Sequence, residues 1–127
     1  MENKISEIGQ IGITVSDVEA ALGFYRDILG LQFLFSPSST LAFLSAGTVR
    51  IMLSTPQGDG TVGGNSILYF KVTDLNSVFS EIINNGAKSE REPQLAAKMP
   101  DHDLWIGFIR DPDGNLVGLM EEKNNSN

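Results

Sequence analysis

Apolar side chains alternate with polar or small ones along several short segments of the chain. An alternation with a period of two predicts β-strands that bury one face. The clearest strands are predicted at residues 10–15, 48–54, 66–72 and 115–121. Shorter strands are predicted at about 31–35, 40–46, 88–92 and 103–110. The clearest strands share one wholly apolar face and one mixed face.

Capping signals predict a helix in each half of the chain. Ser16 and Glu19 form a capping box before the first helix, and Asp74 is an N-cap candidate for the second. Gly30 and Gly86 follow the last helical turns, where a left-handed residue often ends a helix.

The order of these elements is repeated along the chain. The stretches IGITVSDVEAALGFYRDILG and SILYFKVTDLNSVFSEIINNG both predict a strand, a capped helix and a glycine stop. Each half therefore has the order βαβββ. We predict one α+β domain of two tandem modules, at about 5–55 and 66–122, joined by a glycine-rich linker at 56–65. The modules are expected to form a cupped, barrel-like mixed sheet with both helices on its outer face.

The mixed strand face is then the inner surface of the cup, where small ligands usually bind. In the first module, alternation places Gln10, Arg50 and Met52 on this surface. A two-residue turn at Gly47-Thr48 would place Phe43 opposite Met52.

In the second module, a glycine stands in the middle of the last predicted strand, and glycine in a strand often marks a close approach to the backbone. If residues 111–114 form a four-residue loop, Gly107 lies opposite Gly118 on the inner face, and Trp105 lies opposite Met120. This pairing predicts an open space beside Trp105.

Composition narrows the range of functions. The chain has 127 residues, a net charge of −7 and no cysteine, which excludes thiolate metal sites and a cysteine nucleophile. The negative charge disfavours nucleic acid and anionic membranes; it favours cationic partners, or simply keeps the protein soluble. No apolar run approaches the roughly 20 residues of a membrane helix, and no signal-peptide pattern is seen at the N-terminus. We therefore expect a cytoplasmic protein without a nucleic-acid or membrane partner.

The duplicated plan, with VSDVEAALGFYRDILGL early and FIRDPDGNLVGLME late, resembles the vicinal-oxygen-chelate superfamily. This superfamily includes glyoxalase I, bleomycin-resistance proteins and extradiol dioxygenases. The resemblance implies two βαβββ modules paired into an open cup, usually within a homodimer.

In the metal-dependent relatives, four inward-facing His, Gln or Glu side chains hold a divalent ion. The resemblance places these positions at Gln10, Met52, Ile67 and Gly118. A thioether suits hard or borderline divalent ions poorly, and Ile67 and Gly118 offer no side-chain ligand atom. Because such an ion needs three or more protein ligands, we predict that no metal cofactor is bound.

His102, the only histidine, stands between two aspartates in KMPDHDLW. It is predicted either to lie on a loop over the cup mouth and contact ligand as an acid or base, or to be a solvated loop residue. Residues 94–101 are predicted to form a loop that could close over the pocket as a lid. Trp105 would stack on a ligand ring or simply fill the core.

Strand alternation also places two basic residues and a tyrosine on the inner surface of the cup. Arg50 and Lys71 could pair with an anionic ligand group or with an acidic partner residue, or lie near solvent at strand ends. Tyr69 could hydrogen-bond a ligand or only line the rim.

We therefore expect a metal-free small-molecule-binding protein that sequesters a cationic or aromatic compound. The alternatives are an enzyme of the lactoylglutathione-lyase, epimerase or dioxygenase kind, a metal-free enzyme that uses His102, and an interaction module without a pocket. The predicted ligand-binding residues are Gln10, Phe43, Arg50, Met52, Tyr69, His102, Trp105, Gly107 and Gly118.

Overall fold

The computed structural model describes residues 4–124, and this part of the chain divides after Asn65 into two compact modules. The first module contains β1 (Gln10–Thr14), α1 (Val18–Leu22), a π-helical segment (Gly23–Ile28), β2 (Gln32–Ser38), β3 (Leu41–Ala46) and β4 (Val49–Ser54). The second contains β5 (Leu68–Lys71), α2 (Leu75–Asn84), β6 (Lys88–Lys98), β7 (His102–Arg110) and β8 (Leu116–Asn124). The predicted α+β fold with a repeated βαβββ order is confirmed. The cup-like pairing of the two modules stays a prediction.

The strands of the first module form a sheet in the order β1-β4-β3-β2, with β1 parallel to β4. One sheet face packs against α1, because alternate residues of the strands are fully buried there. Leu44 and Leu53 have no exposed surface, and Tyr25 of the π-helical segment is 1% exposed. The sheet therefore has one face in the core and one mixed face, as the alternation predicts.

The helix of the first module begins one residue later than its predicted capping box implies. The side chain of Asp17, rather than Ser16, accepts a hydrogen bond from the Ala20 amide at 3.1 Å. Asp17 has extended backbone angles, which leave its carboxylate free to reach the first turn. Gly30 has a φ of 81°, the left-handed conformation predicted for it.

The second module repeats the arrangement with the order β5-β8-β7-β6. Helix α2 begins at Asp74, whose side chain accepts from the Ser77 amide at 3.4 Å, so the predicted cap is confirmed. The helix buries Leu75, Phe79 and Ile82 against the apolar face of the sheet.

The two hairpins differ in how well their registers were predicted. In the first module, Ala46 pairs with Val49 across a two-residue turn, and Phe43 lies opposite Met52 as expected. In the second module, the loop has five residues instead of four, because Arg110 pairs with Leu116.

The longer loop shifts the β7–β8 register by one residue. Phe108, rather than Gly107, lies opposite Gly118, and Trp105 lies opposite Glu121 rather than Met120. A Cβ on Gly107 would meet the Phe79 ring of α2 at 3.0 Å, so Gly107 faces the helix and not the inner surface. The predicted pairing of the two glycines is wrong.

Two element boundaries are also corrected. Strand β6 continues to Lys98 and pairs with β7, so residues 94–98 belong to the sheet and not to a lid. Strand β8 continues to Asn124, and Glu122 therefore lies within the strand. Between residues 4 and 124, no helix is long and apolar enough to cross a membrane.

Candidate functional site

The mixed face of the first module is organised around Arg50. Its Nε atom donates to Gln10 Oε1 at 2.7 Å, and the Gln10 amide nitrogen lies 3.5 Å from the sulfur of Met52. The three residues meet because β1 and β4 are parallel, with Gln10 paired to Arg50 and Gly12 to Met52. The structure thus brings three predicted site residues together on one face.

Two phenylalanines continue this face on the neighbouring strands. Phe35 of β2 pairs with Phe43 of β3, and their rings stack with centroids 5.0 Å apart and an interplanar angle of 25°. The Arg50 guanidinium carbon lies 5.4 Å from the centroid of the Phe43 ring. Phe35 is 52% exposed, so an aromatic surface remains open to a further ring.

An open depression of about 440 Å³ lies beside this cluster. Its volume falls within the range of about 300–1,000 Å³ that is typical of small-molecule sites. It is lined by Gly9, Gln10, Leu34, Ser45, Gly47, Thr48, Val49 and Arg50.

The mixed face of the second module is filled differently. Tyr69 pairs with Gly118 across β5 and β8, and a Cβ on Gly118 would lie 2.5 Å from the Tyr69 ring. The Tyr69 ring also packs edge-on against Phe108 at 5.8 Å. The space at Gly118 is therefore taken by Tyr69, and the open space predicted beside Trp105 is not found there.

His102 lies between charged groups at the start of β7. Its Nδ1 atom is 2.7 Å from Asp101 Oδ1, and its Nε2 atom is 3.8 Å from Glu122 Oε2. Glu122 Oε1 in turn pairs with Lys71 Nζ at 3.1 Å. The hydrogen bond from His102 lowers the pKa of Asp101 below its ordinary value. The side chain of His102 is 17% exposed, so it belongs to the strand face and not to a free loop.

Trp105 lies apart from this group. Trp105 lies two residues from Gly107 on the same strand, so both residues are on the face that packs against α2. Lys123 Nζ lies over the Trp105 ring, 4.7 Å from its centroid. A ligand stacked on Trp105 would therefore not lie on the face that holds His102 and Tyr69.

Sequence reasoning missed two contributors to these faces. Phe35 is not among the predicted site residues, although it is an aromatic residue at the end of the strand predicted at about 31–35. The last strand is predicted to end at residue 121, so the prediction leaves Glu122 outside the sheet. Strand alternation places Glu122 on the same face as Gly118 and Met120, and this pattern could have identified it.

The two βαβββ modules give the chain the fold of glyoxalase-like proteins. The profile of the Glyoxalase/Bleomycin resistance protein/Dioxygenase superfamily matches residues 7–119, and the chain belongs to this family.

Several relatives share most of their length with the chain. It is 31% identical to a probable lactoylglutathione lyase of Synechocystis, over 86% of this chain and 90% of that protein. The crystal structure of a virulence protein from Salmonella typhimurium is 27% identical and has a TM-score of 0.76, covering 92% of this chain and 97% of that one. An antibiotic-binding protein from Streptomyces, 20% identical, has the same fold with a TM-score of 0.78, over 96% and 100% of the two chains.

The metal that many members of this family bind does not suit the residues present. In the first module, Gln10 Oε1 already accepts from a guanidinium, whose charge would repel a divalent ion, and Met52 offers only a thioether. In the second, Ile67 has no donor atom, and the space at Gly118 is filled by Tyr69. Within residues 4–124, no three His, Asp or Glu side chains are grouped so as to hold an ion. The donor set therefore does not fit the family's metal.

Proposed function

We propose that the protein binds a small aromatic compound without a metal and acts by sequestering it. The observation that carries the proposal is the stacked Phe35–Phe43 pair, which leaves Phe35 half-exposed on the face where Arg50 lines the depression. A half-exposed aromatic ring on a mixed sheet face provides a surface on which a planar ligand can stack. A Streptomyces protein with the same fold is described as an antibiotic-binding protein, which supports a binding role for this fold.

A thermal-shift screen of planar aromatic compounds tests the proposal. A compound that binds only the folded state raises the melting temperature by mass action. We expect Phe35→Ala to weaken the binding of such a compound about tenfold, since an aromatic pair contributes about 0.5–1.5 kcal/mol beyond burial. Phe33→Ala is the matched control, because Phe33 lies on the same strand but pairs with the buried Leu44. Equal effects of the two substitutions, or no bound compound, would contradict the proposal.

One observation favours a second candidate, a metal-free enzyme. Asp101, His102, Glu122 and Lys71 form a connected set of ionisable side chains in the second module. A histidine oriented by a carboxylate can transfer protons near neutral pH. This candidate differs from the binding proposal because it requires turnover, and it places the chemistry in the other module.

A further inference from the structure

We infer that the depression of the first module is a subsite for the carboxylate of a planar aromatic ligand, which Arg50 binds through its terminal guanidinium nitrogens. The inference rests on the proposed function, because it names the class of compound that the site takes. The inferred ligand is an anion, whereas the acidic composition of the chain favours cationic partners.

Arg50 is held in place without being neutralised. A guanidinium has five N–H donors, and the Nε donor is used by the neutral oxygen of Gln10. The ring of Phe43 supports one side of the group. The terminal nitrogens are the part of an arginine that binds a carboxylate through two parallel hydrogen bonds.

Arg26 and Arg110 differ from Arg50 in this respect. Arg26 lies over the Phe33 ring at 5.6 Å, much as Arg50 lies over Phe43, but it also pairs with Asp27 at 2.8 Å. Arg110 pairs with Glu90 at 3.0 Å. Within the described chain, no carboxylate lies at ion-pair distance from Arg50, although acidic residues outnumber basic ones by 16 to 9. Arg50 is thus an oriented cation whose charge no neighbouring side chain offsets.

The surroundings of the depression favour an anion despite the net charge of −7. Among the described residues that line it, Arg50 is the only charged one. Charges in solution are screened over about 8 Å at physiological ionic strength, so the nearest group dominates. On the same face, the next residue pair along β3 and β4 is Phe43 and Met52, where the aromatic surface begins. A planar molecule with a carboxylate at one end and an aromatic ring at the other therefore matches this arrangement, with the carboxylate at Arg50 and the ring at Phe43.

The test compares three probes with the same ring system: naphthalene-2-carboxylate, its neutral carboxamide, and 2-(aminomethyl)naphthalene, which is cationic. Titration calorimetry with the full chain is expected to give the tightest binding for the carboxylate. Arg50→Gln is expected to weaken carboxylate binding about 10–100-fold, the range for a lost charge-assisted hydrogen bond. Binding of the carboxamide should change less than about threefold under the same substitution.

Two further variants separate the role of Arg50 from a general effect on folding. Arg50→Lys keeps the charge but not the planar fork, and it should recover only part of the carboxylate affinity. Arg26→Gln removes a similarly stacked arginine outside the depression and should leave all three affinities unchanged. A melting temperature close to that of the parent protein shows that each variant is folded.

The outcomes distinguish this inference from the proposed function. If the carboxamide or the amine binds at least as tightly as the carboxylate, or if Arg50→Gln leaves carboxylate affinity intact, the inference is overturned while aromatic binding stands. If none of the three probes binds, both are overturned.

Discussion

Gly118 shows how a single residue can mislead when its neighbours are unknown. The resemblance places it where metal-dependent relatives have a ligand, and a glycine there predicts an empty space. In the structure, the ring of Tyr69 occupies that space, because β5 and β8 are parallel and pair these two residues. The glycine thus accommodates a neighbouring aromatic side chain.

This contact predicts a specific coupling between the two residues. Gly118→Ala would place a Cβ 2.5 Å from the Tyr69 ring, so the ring must move away from Phe108. We expect a loss of about 1–3 kcal/mol in the free energy of unfolding, the usual cost of overpacking. Urea denaturation measures this loss.

The control is the same substitution made in Tyr69→Ala protein. With the ring removed, the added methyl group should cost much less, and the double-mutant cycle should give a clear interaction energy. An equal loss in both backgrounds would show that the glycine is needed for its backbone and not for the ring.

At the scale of elements, the loop between β7 and β8 determines which side chains share a face. Asp111 Oδ1 accepts from the amides of Asp113 and Asn115 at 2.9 and 2.8 Å, and Asp111 Oδ2 accepts from the Asn115 side chain at 2.8 Å. These bonds draw Asn115 into the turn, so that Leu116 is the first residue of β8 to pair. Asp111 and Asn115 are both buried.

We therefore expect Asn115→Ala to destabilise the second module. The substitution removes the hydrogen bond that the Asn115 side chain donates to the buried Asp111 carboxylate, which costs about 1–3 kcal/mol. Thermal or urea unfolding measures the change. Asn84→Ala removes the same group from an exposed helix position and should change stability by less than about 0.5 kcal/mol. Comparable losses in the two variants would contradict the role assigned to the loop.

At the scale of the whole molecule, the binding proposal and the enzyme alternative differ in their response to chelation and to loss of His102. If no metal takes part, extensive dialysis against EDTA should leave both the melting temperature and the affinity for an aromatic ligand unchanged, because the donor atoms at the four family positions do not suit a divalent ion. Elemental analysis of the purified protein should find no stoichiometric divalent metal.

Two results would contradict this expectation in different ways. A tightly held ion whose removal lowers stability would show that the metal positions are wrongly assigned. Turnover that survives chelation but is lost in His102→Asn would instead favour the metal-free enzyme, since His102 is held between Asp101 and Glu122.

Much of the first module was predictable because its signals are local. Strand alternation identified the buried face. The two-residue turn at Gly47-Thr48 fixed the register of β3 against β4, in which Phe43 lies opposite Met52. The hydrogen bond between Gln10 and Arg50 follows once β1 and β4 pair, but the parallel register that brings the two together was not evident from the chain.

The chain by itself determined the βαβββ repeat and, within one residue, the helix caps at Asp17 and Asp74. The unsuitable donor set at the four family positions stays a prediction. Alternation, capping and side-chain chemistry depend on near neighbours, so the order of residues is enough to reveal them. Tertiary structure decided which side chains fill each face. The Tyr69 ring occupies the space at Gly118, and Arg50 bonds to Gln10 with no carboxylate of the described chain at ion-pair distance. These outcomes depend on strand register and on which distant side chains fill the same volume, and a shift of one residue exchanges the two faces.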